Sequence, residues 1–171
     1  MSATPATDRS DARSRSTSPA WQPHIVVFAC NWCSYAGADT AGVSRIQHQP
    51  HFRMIRVMCS GRIQPGFALR ALENGADGVL VSGCHFGDCH YIFGNHRAVE
   101  QFERTRSLIR LLGLEEGRLR LEWISAAEGA RFAQVIDEFT EQIRELGPSP
   151  LRRGHPPLQC GEKGGERAAA C

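Results

Sequence analysis

Short β-branched apolar runs alternate with longer stretches of helical period along the middle of the chain. The run "HIVVFA", His24 to Ala29, is continuous and apolar, as a strand buried on both faces of a parallel sheet is. Small residues follow it at a spacing that predicts a helix over about Gly37 to Gln47. "MIRVM", Met54 to Met58, predicts a second strand. "PGFALRALENG" then opens on Pro65, which suits a first helical turn, and closes at Gly75. "GVLVSG" predicts a third strand, and the segment from Asn95 to Leu112 carries Val99, Phe102, Ile109 and Leu112 on one face. "LRLEWIS" is the fourth strand. "SAAE", Ser125 to Glu128, has the spacing of a capping box and opens the last helix. Phe132, Val135, Ile136, Phe139, Ile143 and Leu146 then recur at helical period, which marks a core stripe.

Four strand–helix units of this length imply an α/β fold: a four-stranded, mainly parallel sheet with helices on both faces. The pattern stops at both ends. Residues 1–22 offer almost nothing to bury, and residues 148–171 are punctuated by Pro and Gly, so both read as disordered tails around a domain at 23–147. A chain of 171 residues suits one such domain with a real core.

Charge changes this picture little. A net charge of +2 and a pI near 8.2 give no electrostatic case for nucleic acid. The apolar runs are too short to span a bilayer, and the N-terminal stretch has neither an apolar targeting core nor transit-peptide composition. A cytoplasmic location is the default expectation. Seven cysteines is an odd number, and in a reducing compartment thiols serve metal binding or redox chemistry more often than structural disulfides.

Where those cysteines fall matters more. Cys30 and Cys33 follow the first strand, Cys59 the second, and Cys84 and Cys89 the third. In an open parallel sheet all three loops lie at one edge, the carboxyl ends of the strands, where functional groups collect. Soft thiolates converging from three loops suit an iron–sulfur cluster or zinc, while a C-x-x-C after a strand also suits a dithiol oxidoreductase built on Cys30 and Cys33. Helix-like sequence follows each loop and would aim free backbone N–H groups at the sulfurs. Gly37, Gly61, Gly83 and Gly87 would let the backbone approach an inorganic sulfide, or serve ordinary turns. His85 and His90 flank the last cysteine pair, either as hydrogen-bonding neighbours or as members of a mixed Cys/His site. Trp32 and Tyr35 are packing over the first loop or part of a docking surface. Arg56 and Arg62 bracket Cys59 as solvated charges or as compensation for an anionic cluster. The chain has no G-x-G-x-x-G, no Lys-Ser/Thr after its G-x-x-x-G, and no acid–base constellation, so neither a nucleotide site nor independent catalysis is expected.

Taken together, "CNWCSYAGADTAG", "RVMCSGRI", "GADGVLVSGCHFGDCHY" and "LRLEWISAAEG" resemble the delta subunit of methyl-viologen-reducing hydrogenase, the FlpD family, over residues 24–146. The resemblance implies a small subunit carrying a 2Fe–2S cluster. Such a subunit passes electrons between a nickel–iron hydrogenase, or a formate dehydrogenase, and heterodisulfide reductase. The family's cysteines fall on Cys30, Cys33, Cys59, Cys84 and Cys89, and a 2Fe–2S cluster takes four. On that pattern Cys33, Cys59, Cys84 and Cys89 are the expected ligands. Cys30, nearest the strand, is then the surplus thiol or a substitute ligand. Cys160 and Cys171 lie in the expected tail and are bystanders. A structural zinc module and a dithiol oxidoreductase remain the two other readings.

Overall fold

Alternation of apolar side chains along the two central strands sets the architecture. In a computed structural model, which describes residues 21–152, the order is β1 (Ile25–Cys30), α1 (Ser34–Val43), β2 (Phe52–Val57), α2 (Pro65–Glu73), β3 (Gly78–Gly83), α3 (Gly94–Leu111), β4 (Leu119–Trp123) and α4 (Gly129–Leu146). Every strand pair is parallel, and the sheet runs β2-β1-β3-β4. The sheet is therefore wholly parallel. Ile25, Val27, Ala29 and Leu80 point to one face, where α1 and α4 cover them with Ala41, Phe132, Val135, Ile136, Phe139 and Ile143. Phe28, Val79 and Val81 point to the other, against Ala68 and Leu72 of α2 and Ile109 of α3. Helices on both faces keep both sides of these strands from water, which is why their sequence is continuously apolar.

Strand order reverses between β1 and β3: one connection leads from β1 outward to β2, and the chain then returns to the far side of β1. Loops leaving such neighbours diverge and open a crevice at their carboxyl ends. The loops after β1 and β3 are those that carry Cys30, Cys33, Cys84 and Cys89.

Several boundaries differ from expectation, each for a tertiary or capping reason. Helix α1 stops at Val43, short of Gln47, because Arg45 adopts a left-handed φ of 55°. Its amide bonds Gly42 O and that of Ile46 bonds Ala41 O, a left-handed C-terminal cap. Helix α4 starts at Gly129, later than the capping box implies. Only the glutamate half of the box forms: Glu128 Oε2 accepts the Ser125 amide at 2.7 Å, and the serine side chain caps no helical amide. Gly129 lies so close to the Ala41 backbone that a Cβ there would come within 2.7 Å of it, so contact with α1 decides where α4 begins. The buried face of α3 is Ala98, Thr105 and Ile109 with Phe102 beside them, and Leu112 is exposed beyond the helix end. Thr105 hides in an apolar stripe because its hydroxyl donates to Gln101 O.

The described fold also passes the expected boundary at residue 147. Buried Asp77, just before β3, accepts the His24 amide, the Ser149 amide and Arg152 Nη1, at 2.8, 2.8 and 2.9 Å. Buried Arg118, just before β4, donates to the carbonyls of Asp77, Leu146, Gly147 and Pro148 and closes the C-terminus of α4. Trp21 packs at the edge of the α1–α4 core. The remainder of the two expected tails, with Cys160 and Cys171, lies outside the described residues. Among those described, no helix is long and apolar enough to cross a membrane.

Candidate metal centre

Five thiols meet at the switch-point crevice. Cys30 ends β1, Cys33 precedes the first residue of α1, Cys59 precedes the short 3-10 turn Ser60–Arg62, and Cys84 directly follows β3. Cys89 sits midway along the loop between β3 and α3. The first four are buried and Cys89 is half-buried. The sulfurs of Cys30, Cys33 and Cys84 all lie within 4.8 Å of one another, with Cys30 and Cys84 only 3.7 Å apart. Cys89 packs against this trio. The sulfurs of Cys59 and Cys89 converge on Gly94, where an added Cβ would stand 2.1 Å from Cys59 Sγ and 3.1 Å from Cys89 Sγ. The site is thus a trio and a pair that share one edge.

Electrostatics follow from that crowding. Hydrogen bonds from the Cys33 and Cys84 thiols bring the Cys30 pKa down to about 2, and the backbone amides of Trp32 and Ser60 add to the effect against burial. The same bond to Cys30 pushes Cys33 up to about 11, and Cys84 also goes up, through Cys30 first and Cys33 second. Crowding thus favours a thiolate at Cys30 at the expense of its two neighbours. A soft cation among them would displace the remaining protons, because ligand thiols bind as thiolates and the cation's charge outweighs their mutual repulsion. Burial raises the Cys59 thiol, opposed by the Gly61 amide and reinforced by Cys89. A buried, cysteine-rich donor set of this kind fits zinc or an iron–sulfur cluster and suits no hard oxygen-seeking cation.

The neighbours of the thiols have specific tasks. Ser34 Oγ reaches Cys33 Sγ at 3.5 Å and donates to Gly83 O, tying α1 to the end of β3. Fully buried Asn95 donates to the carbonyls of Cys84 and His85, which holds the base of the cysteine loop to α3. His85 turns to α4, where its Nε2 meets Glu128 Oε2 at 2.7 Å. His90 stacks on Trp32 with ring centroids 3.9 Å apart. Neither imidazole joins the sulfur group, so the mixed Cys/His alternative has no geometric support among the described residues. Arg56 lies over the Tyr35 ring at 5.0 Å, a cation–π pair, while Arg62 lines a groove beside Cys59.

The expected arrangement of helix starts holds for only part of the site. Helical turns follow Cys33 and Cys59 at once, but α3 begins ten residues after Cys84, and its first residue, Gly94, abuts the Cys59–Cys89 pair instead. The glycines also act differently from the sulfide-approach reading. Gly37, Gly61 and Gly83 face Ser125 O, Gly94 and the Ser60 side chain, each at 2.7 Å or closer to a notional Cβ, so they bring protein against protein. Gly87 takes a φ of +92° in open space, which is turn chemistry. Gly94 and Asn95 escaped the sequence reading. Their one signal was a Gly-Asn pair at the start of a helical run after a cysteine loop. Cys30, expected as the surplus thiol, stands inside the trio, where burial does not separate it from Cys33 or Cys84.

A doubly wound parallel α/β domain with an all-cysteine candidate metal centre at its switch point is the class of protein these features define. The chain belongs to the family described as "Methyl-viologen-reducing hydrogenase, delta subunit", whose model matches residues 25–147. It is 52% identical over 133 residues to an iron-sulfur subunit of the F420-non-reducing hydrogenase of Archaeoglobus profundus, covering 78% of this chain and 97% of that one. It is 49% identical over 132 residues to an iron-sulfur subunit of the vhc F420-non-reducing hydrogenase of Methanococcus voltae, covering 77% and 92%. A third relative is one of the subunits of the ferredoxin:CoB-CoM heterodisulfide reductase of Methanosarcina mazei, 52% identical over 133 residues. That match spans 77% of this chain but only 17% of the longer protein.

Proposed function

We propose that this chain is the iron–sulfur electron carrier of a hydrogenase complex. It holds a 2Fe–2S cluster at the cysteine edge and relays electrons from a hydrogenase or formate dehydrogenase module to heterodisulfide reductase. The single observation that carries the reading is the convergence of five thiols from three loops. Two relatives named as iron–sulfur subunits support it. So does the match to one segment of a heterodisulfide reductase polypeptide, where the same domain is covalently part of the acceptor.

When bound, the cluster supplies a one-electron carrier. The chain's own part is to bind, desolvate and tune. Cys59 and Cys89, gathered at Gly94, supply one pair of ligands, and Cys33 and Cys84 of the trio supply the other. Cys30 is the surplus thiol or a substitute ligand, at the end of β1. The amides of Trp32, Ser60 and Gly61 donate toward sulfur and stabilise negative charge there. No general acid–base work is asked of the protein in this role. Iron and acid-labile sulfide analysis of anaerobically purified chain, with a visible spectrum, tests the reading. Two irons and two sulfides per chain are expected. Zinc without sulfide would make the centre structural, and metal-free protein that turns over disulfides through Cys30 and Cys33 would make it a dithiol enzyme.

A further inference from the structure

Seven large apolar side chains crowd the cysteine edge in exposed positions: Trp32, Met58, Phe67, Phe86, Tyr91, Ile92 and Phe93. Three of them are consecutive. Ile92 and Phe93 are 71% and 66% exposed, at the tip of the loop that carries Cys89. Ile92 adopts a φ of 66°, a left-handed conformation that a β-branched residue avoids. Strain and exposed apolar surface are both costs to the isolated chain, and their coincidence at one loop tip points to a surface that something covers.

Beside that tip lies a groove of about 720 Å³, lined by Met58, Cys59, Phe67, Tyr91, Phe93 and two arginines, Arg62 and Arg97. Among the described residues neither guanidinium has an ion pair, whereas Arg106 and Arg110 farther along α3 are each paired with a carboxylate. The groove therefore joins an apolar wall, two uncommitted cations and one of the five thiols.

We infer that this groove and its apolar rim are the docking surface for a protein redox partner, and that the partner presents an apolar segment carrying carboxylates. The charge is complementary to Arg62 and Arg97, and desolvated arginine among aromatics is the usual make-up of an interface hot spot. Met58, Phe67, Tyr91 and Phe93 are all exposed along the groove, and Ile92 lies between two of them in the chain, which is more apolar surface than a small anionic molecule needs. Cys59 is among the residues that line the groove, so a partner seated there would lie beside one of the five thiols. The inference rests on the relay reading for what passes across the contact, but not for the contact itself.

The test uses the full chain and two purified probes, the heterodisulfide reductase and the hydrogenase of the same organism, with binding measured at two ionic strengths. The double variant Arg62→Glu/Arg97→Glu should weaken binding of one probe by about tenfold or more and flatten its salt dependence. Ile92→Gly/Phe93→Ser should weaken the same probe, while iron and sulfide per chain stay at the wild-type value in both variants. Wild-type chain that binds neither probe, or variants that bind as tightly as wild type, overturns the docking surface whether or not a cluster is present. Self-association that disappears in Ile92→Gly/Phe93→Ser, seen by sedimentation, would assign the surface to a second copy and overturn it too. A metal-free wild-type chain that still binds through these residues keeps the surface and sinks the relay reading instead.

Discussion

Adding one methyl group at Gly94 should damage the centre without touching a cysteine. The ideal Cβ falls 2.1 Å from Cys59 Sγ, roughly 1.5 Å inside ordinary contact. The Gly94 backbone cannot yield, and Cys59 Sγ can give way only by leaving its rotamer and with it the pair it forms with Cys89. Gly61, two residues after Cys59, already rests against the Gly94 backbone so closely that its own notional Cβ lies 2.6 Å from Gly94 O. Overpacking of a rigid site costs about 1–3 kcal/mol, whereas glycine-to-alanine exchange in a helix gains at most about 1 kcal/mol, and less at a first residue. The clash outweighs that gain for most of this range, and Gly94→Ala should lose up to about 2 kcal/mol by that difference. Gly66→Ala in α2 is the control, since nothing lies within 4 Å of its Cβ position. It should be neutral or stabilising by up to about 1 kcal/mol. Urea unfolding of the metal-free chains is the assay, because a bound cofactor breaks two-state behaviour. Iron content of the holo forms is the second readout, and only Gly94→Ala should bind less. If Gly94→Ala is as stable as Gly66→Ala and binds a full complement of iron, the packing argument is wrong.

Among single serine substitutions, Cys59→Ser and Cys89→Ser should each abolish the cluster, since the pair at Gly94 has no third thiol, whereas Cys30→Ser should keep it. Iron retention in Cys59→Ser, or complete loss in Cys30→Ser, would refute the assignment. A chain ending at residue 147 should be less stable than one ending at 152 by about 2–4 kcal/mol, because buried Asp77 loses the Ser149 amide and its counter-charge Arg152. Urea midpoints compare the two, and a difference below about 1 kcal/mol would mean that this network is not what holds the end of the fold. Glu128 is held down to about 2, first by the Ser125 amide and then by His85, against an ordinary value of 4.5. Its folded pKa lies below its unfolded one, so its contribution is present above pH 4.5 and fades as pH falls toward 2. Acid unfolding of Glu128→Gln should accordingly be shallower than that of wild type across this window, and identical profiles would refute it.

Much of this molecule was legible from its residues in order. Strand β3 spans "GVLVSG" residue for residue, because glycines bound it and helices bury both its faces. The stripe of α4 was equally plain, since Phe132, Val135, Ile136, Phe139 and Ile143 all sit on one helix face and all go inside. That five cysteines share an edge also followed, because parallel strand–helix alternation puts every strand's carboxyl end on the same side. Local period carries such information, and each of these features is local or a direct consequence of chain direction.

What period cannot carry is distance across loops. Division of the five thiols into a trio and a pair depends on β1 lying beside β3, and on α3 driving Gly94 against Cys59, a residue 35 positions earlier. Asp77 and Arg152 are 75 residues apart and look like any surface charges in the sequence, yet one is fully buried and the other is its partner. These contacts exist only once the sheet has assembled, because the groups involved gain nothing from their neighbours in the chain and gain their hydrogen bonds from segments that folding brings to them.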